Sequence, residues 1–362
     1  MKVGLNLAPL HPFGSYRAML AVCEEARVDS VWAPDHLQGC AHPELWRDMA
    51  LASVAPDADA WYDPFACLAV IGQESALPMG VCATDAIRRR APDVARTALT
   101  LHQLCRGGFH LGVGSGEAEN LTPFGYGFDT PVAQTEAFLV ELRALLDEGV
   151  MPGGSSGRMG LPRRREDVGP PKVWVAAHGP RMLRLTGEHG DGWLPAWPMS
   201  PSTYGERRRT IGEHAARAGR AMPECALHVS VIIGASRDHI ADLMEQDPLG
   251  KLLALMCSAD DWARHGLRHP SGDRCRGLVD LVFHELDPDE LRELAPKIPF
   301  ELVEEFFFMG NAGEIAQRVA GYGDHGLEHV ILGNATGTVG GMAEIVASTN
   351  EFLSLTAALA EL

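Results

Sequence analysis

The sequence predicts an α/β fold, a single (β/α)8 TIM barrel with two insertions spanning residues 1–362. Three observations lead there. Short apolar runs alternate with longer amphipathic stretches along the whole chain, the pattern of βα units around a parallel sheet. Eight such units follow one another, whereas an open doubly wound sheet rarely needs that many. Ionisable groups also collect just after several of the apolar runs, and in a barrel those positions share one mouth.

The first strand covers 2–8, opening with Lys2-Val3-Gly4-Leu5-Asn6-Leu7. The second covers 30–35 (Ser30-Val31-Trp32-Ala33-Pro34-Asp35), the third 78–84 and the fourth 109–115. Strands at 172–177, 191–196, 227–235 and 328–334 complete the set. Helical patterns fall at 16–27, 64–75, 91–105, 131–148, 180–189, 202–219, 311–325 and 341–360. Two excursions enlarge the minimal barrel. Residues 36–63 follow the second strand, and residues 236–310, largely helical, follow the seventh. Long connections in compact domains are commonly functional lids, so both are expected to wall a pocket at the C-terminal face. Residues 151–170, rich in Gly, Pro and Arg, read as a surface loop.

Composition narrows the class. Hydrophobic residues make up 46% of the 362-residue chain and charged residues 22%, as in a globular enzyme. No apolar run approaches the ~20 residues of a membrane span, and the chain starts on a strand rather than a signal peptide. A cytoplasmic protein is expected. The net charge of -17 argues against nucleic acid, whose binding needs clustered Lys and Arg. Eight cysteines without a CxxC pair read as reduced, mostly buried thiols. His265 and His269 lack ligand spacing and an acidic cluster, so no metal is expected.

The strand ends carry the chemistry. His36 follows Asp35, which offers an orienting carboxylate or a hydrogen-bond acceptor for a cofactor ring. The third strand runs through Cys82 and Ala83 to Asp85 and then Arg88-Arg89-Arg90, which could be solvated surface or, in so acidic a chain, could equally attract a phosphate or carboxylate. The fourth leads into Gly112-Val113-Gly114-Ser115-Gly116-Glu117-Ala118-Glu119-Asn120. Its glycines lie in the wrong βα unit for a Rossmann fingerprint. They suit a backbone approaching a flat ligand, with Glu117 and Asn120 turned into the cavity. A plain strand-to-loop turn is the competing reading. Ala176-Ala177-His178-Gly179-Pro180 passes from strand into helix, and free N–H groups at a helix start favour an anion. An ordinary βα junction accounts for it equally well. Trp61, Tyr62, Pro64, Phe65 and the Leu252–Met256 stretch suggest an apolar, lipid-accepting cavity, although such residues more often form core. The residues by themselves imply a flat anionic cofactor at the mouth and go no further.

These strings resemble the F420-dependent branch of the luciferase-like hydride transferases. Asp35-His36, Gly114-Ser115-Gly116-Glu117-Ala118 with Asn120, and Ala176-Ala177-His178-Gly179-Pro180 are similar to the glucose-6-phosphate dehydrogenases of that branch. Gly80-Val81-Cys82-Ala83-Thr84-Asp85 with Arg88-Arg89, Trp174 through Leu183, Trp262-Ala263-Arg264-His265-Gly266 and Asp324-His325-Gly326-Leu327 bring the chain nearer to phthiodiolone ketoreductase-like proteins. The resemblance implies a homodimeric barrel holding coenzyme F420 and passing hydride to a carbonyl-type substrate. It implies catalytic roles for His36 and Glu117, and a third-strand bulge with a cis peptide at Cys82-Ala83. Asp35, Cys82, Ala83, Asp85 and Asn120 would lie about the ring, and Ala176, Ala177, His178 and Gly179 along the phosphate-bearing tail. An FMN-dependent monooxygenase and a non-catalytic flavin-binding relative are the rival readings. One departure stands out: the dehydrogenases carry Trp four residues after the histidine, where this chain has Cys40, and Trp46 or Trp61 would have to supply the aromatic wall. The dehydrogenases' sugar-phosphate-binding residues have no clear counterpart in 236–310, which argues against a sugar phosphate.

Overall fold

A computed structural model describes residues 1–362. It contains nine parallel strands: β1 Lys2–Asn6, β2 Ser30–Ala33, β3 Met79–Asp85, β4 Phe109–Gly114, β5 Lys172–Val175, β6 Gly192–Trp193, β7 Glu224–Ile233, β8 Phe307–Gly310 and β9 His329–Asn334. β1 to β7 pair in sequence, β7 pairs with β9, and β9 pairs with β1. That ring closes on eight strands, the predicted barrel.

β8 is the strand that the sequence pattern hides. It lies inside the segment read as a helical insertion. Its reason is an exposed edge. β6 pairs with β7 only at Glu224 and Cys225, because Pro195 lacks the N–H that a continuing strand would need. β7 runs on to Ile233, and β8 covers the free edge from Ser230 to Ile233. The run expected at 191–196 is therefore only two residues long as a strand. The final helix expected at 341–360 is two helices, Gly337–Ala347 and Thr349–Glu361.

The barrel is filled from within by Trp32 and Trp174, edge to face at 5.5 Å, with His110, Leu194 and Ile331 around them. Its N-terminal end is closed by charge. Glu224 accepts from Lys2 Nζ at 2.8 Å and Lys172 Nζ at 3.0 Å, and His329 Nδ1 lies 3.5 Å away. That cluster joins the starts of β1, β5, β7 and β9. The opposite, C-terminal face carries the two excursions.

The excursions meet through His284–Asp59 at 2.9 Å and Arg292–Asp48 at 3.1 Å. Residues 236–310 have a core of their own around Trp262, Leu281 and Leu302, and Leu252–Leu255 are buried in it. Phe65 and Pro64 are likewise buried at the start of the helix Pro64–Glu74. Those residues are packing; of the expected apolar lining, Trp61, Tyr62 and Met256 are only half-buried. No helix is long and apolar enough to cross a membrane.

Candidate active site

His36 lies three residues beyond β2, at the barrel mouth. Its Nδ1 is 2.9 Å from Glu119 Oε1, a carboxylate that only accepts, so Nδ1 carries the proton and donates. Nε2 is left without a protein partner. Glu119 is fully buried, also accepts from the Cys40 thiol at 3.2 Å, and leaves Oε2 unpaired. Sequence reading passed over Glu119, because its partner is 83 positions away. Its one signal was a second carboxylate two residues after Glu117.

Asn120 braces this cluster. Its Oδ1 accepts from the Leu37 N–H at 2.7 Å, and Nδ2 lies 3.4 Å from Glu117 Oε2. Trp61 stands beside His36 with ring centroids 5.0 Å apart, so it supplies an aromatic neighbour. Trp46 does not; it is buried, with its Nε1 bonded to the Ala55 carbonyl at 2.7 Å.

The electrostatics follow from crowding carboxylates around one imidazole. Burial pushes His36 toward the neutral form, but Glu119, Glu117 and Asp35 outweigh it and raise its pKa above the ordinary histidine value. Burial pushes Glu117 up to about 7, helped by Glu119 and Asp85 and opposed by His36. Burial and the carboxylates also hold Cys40 well above the usual thiol range. His36 Nδ1, Cys40 Sγ and Glu119 lie within 4.8 Å of one another, a ligand set that no spacing in the sequence displays. The metal-free expectation was argued from His265 and His269 and did not weigh this group.

Asp35 turns out to do something other than orient His36. Its carboxylate accepts from Arg89 Nε at 2.9 Å, Arg89 Nη2 at 3.1 Å and Thr84 Oγ1 at 2.6 Å, with Arg88 at 3.3 Å. Asp85 bonds Arg88 Nε and accepts from the backbone of Ile87 and Arg88 at 2.9 and 2.7 Å. Arg88 and Arg89 are thus tied to carboxylates, and the reading of 88–90 as an anion trap fails for these two. The Cys82–Ala83 peptide is cis, in a bulge where the β3–β4 register shifts between Val81 and Thr84. Gly112 exists for that bulge: a Cβ there would meet the Val81 carbonyl oxygen at 2.3 Å. Gly116 adopts φ +86, a left-handed turn that aims the chain toward Glu117.

At the end of β5, Gly179 caps and Pro180 begins the helix Pro180–His189. Just before it, His178 stacks face to face on Trp197 at 3.6 Å. The Ala196 N–H donates to His178 Nε2 at 3.0 Å, and His228 Nδ1 contacts the Ala196 carbonyl at 3.3 Å. Two histidines from neighbouring strands therefore fix the loop that follows β6. The structure gathers His36, Glu117 and Asn120 into one cluster, places Asp35, Cys82, Ala83 and Asp85 in the adjoining wall, and sets Ala176–Gly179 along a separate rim.

A closed parallel barrel with a bulged third strand and a buried histidine–carboxylate pair at its mouth defines a (β/α)8-barrel enzyme of the luciferase-like kind. The chain belongs to the luciferase-like monooxygenase family, whose model matches residues 3–329. It is 35% identical over 334 residues to the phthiodiolone/phenolphthiodiolone dimycocerosates ketoreductase of Mycobacterium tuberculosis, covering 88% of this chain and 87% of that protein. It is 26% identical to the F420-dependent glucose-6-phosphate dehydrogenase of Beutenbergia cavernae, over 87% of this chain and 85% of that one. An F420-dependent secondary alcohol dehydrogenase, solved with an F420–acetone adduct, shares the fold at a TM-score of 0.70 and 20% identity, covering 99% of this chain and 98% of that one.

Proposed function

We propose that this enzyme is an F420-dependent reductase that delivers hydride to a ketone, or to an imine or activated alkene, with His36 and Glu117 managing the proton. The observation that carries the proposal is the bond from His36 Nδ1 to the buried Glu119, which leaves Nε2 with no protein partner and able to give a proton from the imidazolium form. The donor set fits the coenzyme's chemistry, because a hydride donor needs a proton supplied separately. When bound, reduced F420 supplies two electrons as hydride from carbon 5 and does not readily activate oxygen.

Asp35, Cys82, Ala83, Asp85 and Asn120 would line the ring's place, and Ala176, Ala177, His178 and Gly179 its tail. As the carbonyl carbon gains hydride, its π electrons move to oxygen, which takes the proton from His36 Nε2. Glu117, its pKa raised toward neutrality by burial, would restore the proton. Such an acid contributes typically about 10²–10⁴-fold. The excursions 36–63 and 236–310 would exclude water from this exchange, within one functional unit that we read as a cytoplasmic homodimer. Light scattering tests the dimer.

A lipid-like substrate is supported by the 35% identical ketoreductase; of the apolar residues expected to line its cavity, Pro64, Phe65 and Leu252–Leu255 are core, and Trp61 stands beside His36. The family name keeps a second reading open, an FMN-dependent monooxygenase using oxygen. Titration with F420 and with FMN separates the two: tight F420 binding with reduction of a ketone panel is expected, and FMN-dependent oxygen consumption would overturn it. His36→Ala should leave F420 binding nearly intact while slowing turnover. Lost binding with normal turnover at saturation would remove His36 from its role.

A further inference from the structure

A cavity lined by none of the His36 cluster's residues is rich in arginine. It encloses about 540 Å3 between the loop after β6, the residue 256–278 part of the second excursion, and the helix Ala312–Ala320. Four arginines line it, Arg207, Arg264, Arg276 and Arg318, against two carboxylates, Asp261 and Glu305. In a chain of net charge -17, so local an excess of arginine calls for a cause. Arg264 and Arg276 have carboxylate partners in Asp261, Glu305 and Asp280. Arg207 and Arg318 have none. Arg318 donates to the Phe307 and Glu304 carbonyls and lies over the Phe308 ring, while Arg207 reaches only Met199 Sδ and His178.

The contact between Arg207 and His178 is the second observation. The Ala196 N–H can only donate, so His178 Nε2 must accept from it. Burial, with Arg207 beside it, holds this ring neutral, its pKa pushed down to about 3. The ring's single proton is then on Nδ1, which faces Arg207 Nη1 at 3.2 Å. Two donors face each other across that gap. Neither satisfies the other; Arg207 lines the cavity, as does Trp197, on which His178 stacks, so an acceptor entering there would serve both.

We propose that this pocket binds an oxyanion, a carboxylate or phosphate group of a bound ligand, that accepts jointly from Arg207 and His178 Nδ1, with Arg318 at its rim. This site deepens the reading of the chain as an F420 enzyme in one respect, because His178 belongs to the rim assigned to the coenzyme's tail. The oxyanion then comes either from that acidic tail or from an acidic group on a second ligand. The chemistry is the same for both sources.

The test measures binding to the intact protein and to Arg207→Gln and Arg207→Lys, each checked by thermal melting. The probes are F420, the tail-less deazaflavin alcohol lacking phosphate and glutamates, and free pyrophosphate and citrate added to the F420-saturated protein. If the tail is the source, Arg207→Gln weakens F420 by about 10- to 100-fold. The tail-less probe is then unchanged, and Lys partly restores affinity. If a second ligand is the source, citrate or pyrophosphate binds the F420-saturated wild type and loses that binding in Arg207→Gln. The proposal is overturned if Arg207→Gln changes neither F420 nor free-anion affinity. Should the wild type bind FMN and no deazaflavin, the functional reading fails, while Arg207-dependent anion binding still decides the pocket.

Discussion

Replacing Glu119 by Gln keeps the side chain's shape and its acceptor for His36 Nδ1, and removes only the charge. In the wild type the carboxylate sits 2.9 Å from Nδ1 in a fully buried position, so its hydrogen bond is charge-assisted. Bonds to charged groups are worth about 1.5–3 kcal/mol. Gln keeps a neutral bond worth about 0.5–1.5 kcal/mol, so about 1–1.5 kcal/mol is lost, and at 1.36 kcal/mol per pKa unit the His36 pKa falls by roughly 1 unit. The sign is fixed by direction: the imidazolium is the donor, its pKa is raised in the folded enzyme, and activity falls as pH rises through that value. Glu119→Gln therefore moves the alkaline limb of kcat/KM to lower pH by about 1 unit, while coenzyme affinity stays near wild type. Glu119 also raises Glu117, so the limb is remeasured in a Glu117→Gln background. The shift persists there if His36 is the donor. The assay follows deazaflavin oxidation by absorbance at ketone concentrations below KM across the pH range. An alkaline limb that does not move in Glu119→Gln refutes the positioning argument, whatever the change in rate.

The remaining predictions concern the wall around this pair. Asp35→Asn leaves Arg88 without one of its buried partners and should cost about 3 kcal/mol in urea unfolding at pH 7, near the low end for a broken buried pair because Arg89 keeps Asp63. Burial raises the Asp35 pKa, but Arg89, Arg88 and Thr84 bring it below the usual carboxylate value. Its contribution is thus complete above the unfolded pKa of ~3.9 and lost as pH falls through the lower folded one, so the wild-type advantage over Asp35→Asn should shrink only in acid. Equal stability of the two proteins at pH 7 would show that the ion pairs contribute nothing. Cys40, held as a thiol by burial and by Glu119, should resist iodoacetamide at pH 8 far longer than an unfolded control, and peptide mass mapping reads this directly. Rapid alkylation at Cys40 in the folded protein would contradict the assigned bond.

The barrel was legible because each of its eight strands is an apolar run followed by a helix, and that rhythm survives without any partner information. β8 was not, because a four-residue strand is called up by an edge that only the closed barrel reveals. The same limit explains the active site. Asp35 and His36 are adjacent in sequence, and adjacency suggested that one orients the other. Consecutive residues of an extended chain point to opposite sides, however. Asp35 turns to the arginines of the β3 loop, and His36 turns to Glu119 on the β4 loop. Arg88 and Arg89 were misread for a related reason: the carboxylate they share, Asp35, lies 53 and 54 positions upstream.

The protonation pattern of the cluster also bears on the direction of the reaction. Carbonyl reduction needs an enzyme that arrives with a proton to give, whereas alcohol oxidation needs one that arrives with a vacancy. Here burial and like charge raise Glu117 to about 7, and Glu119 raises His36. Two neighbouring sites are thus both biased toward their protonated forms, and since they interact, their titrations belong to the pair. Lowering pH loads the pair and raising it empties the pair, so reduction should be favoured on the acid side of neutrality and oxidation of the product alcohol on the alkaline side. Neither tool of the barrel, its bulge or its arginine-lined pocket, produces that asymmetry. It comes from Glu119, one buried carboxylate whose second oxygen has no partner and whose first holds the imidazole in a single tautomer. Glu119 serves the reverse reaction as well: with the proton on Nδ1 the neutral ring presents Nε2 as a base that the carboxylate strengthens, so the same pair takes a proton from an alcohol once rising pH has emptied it.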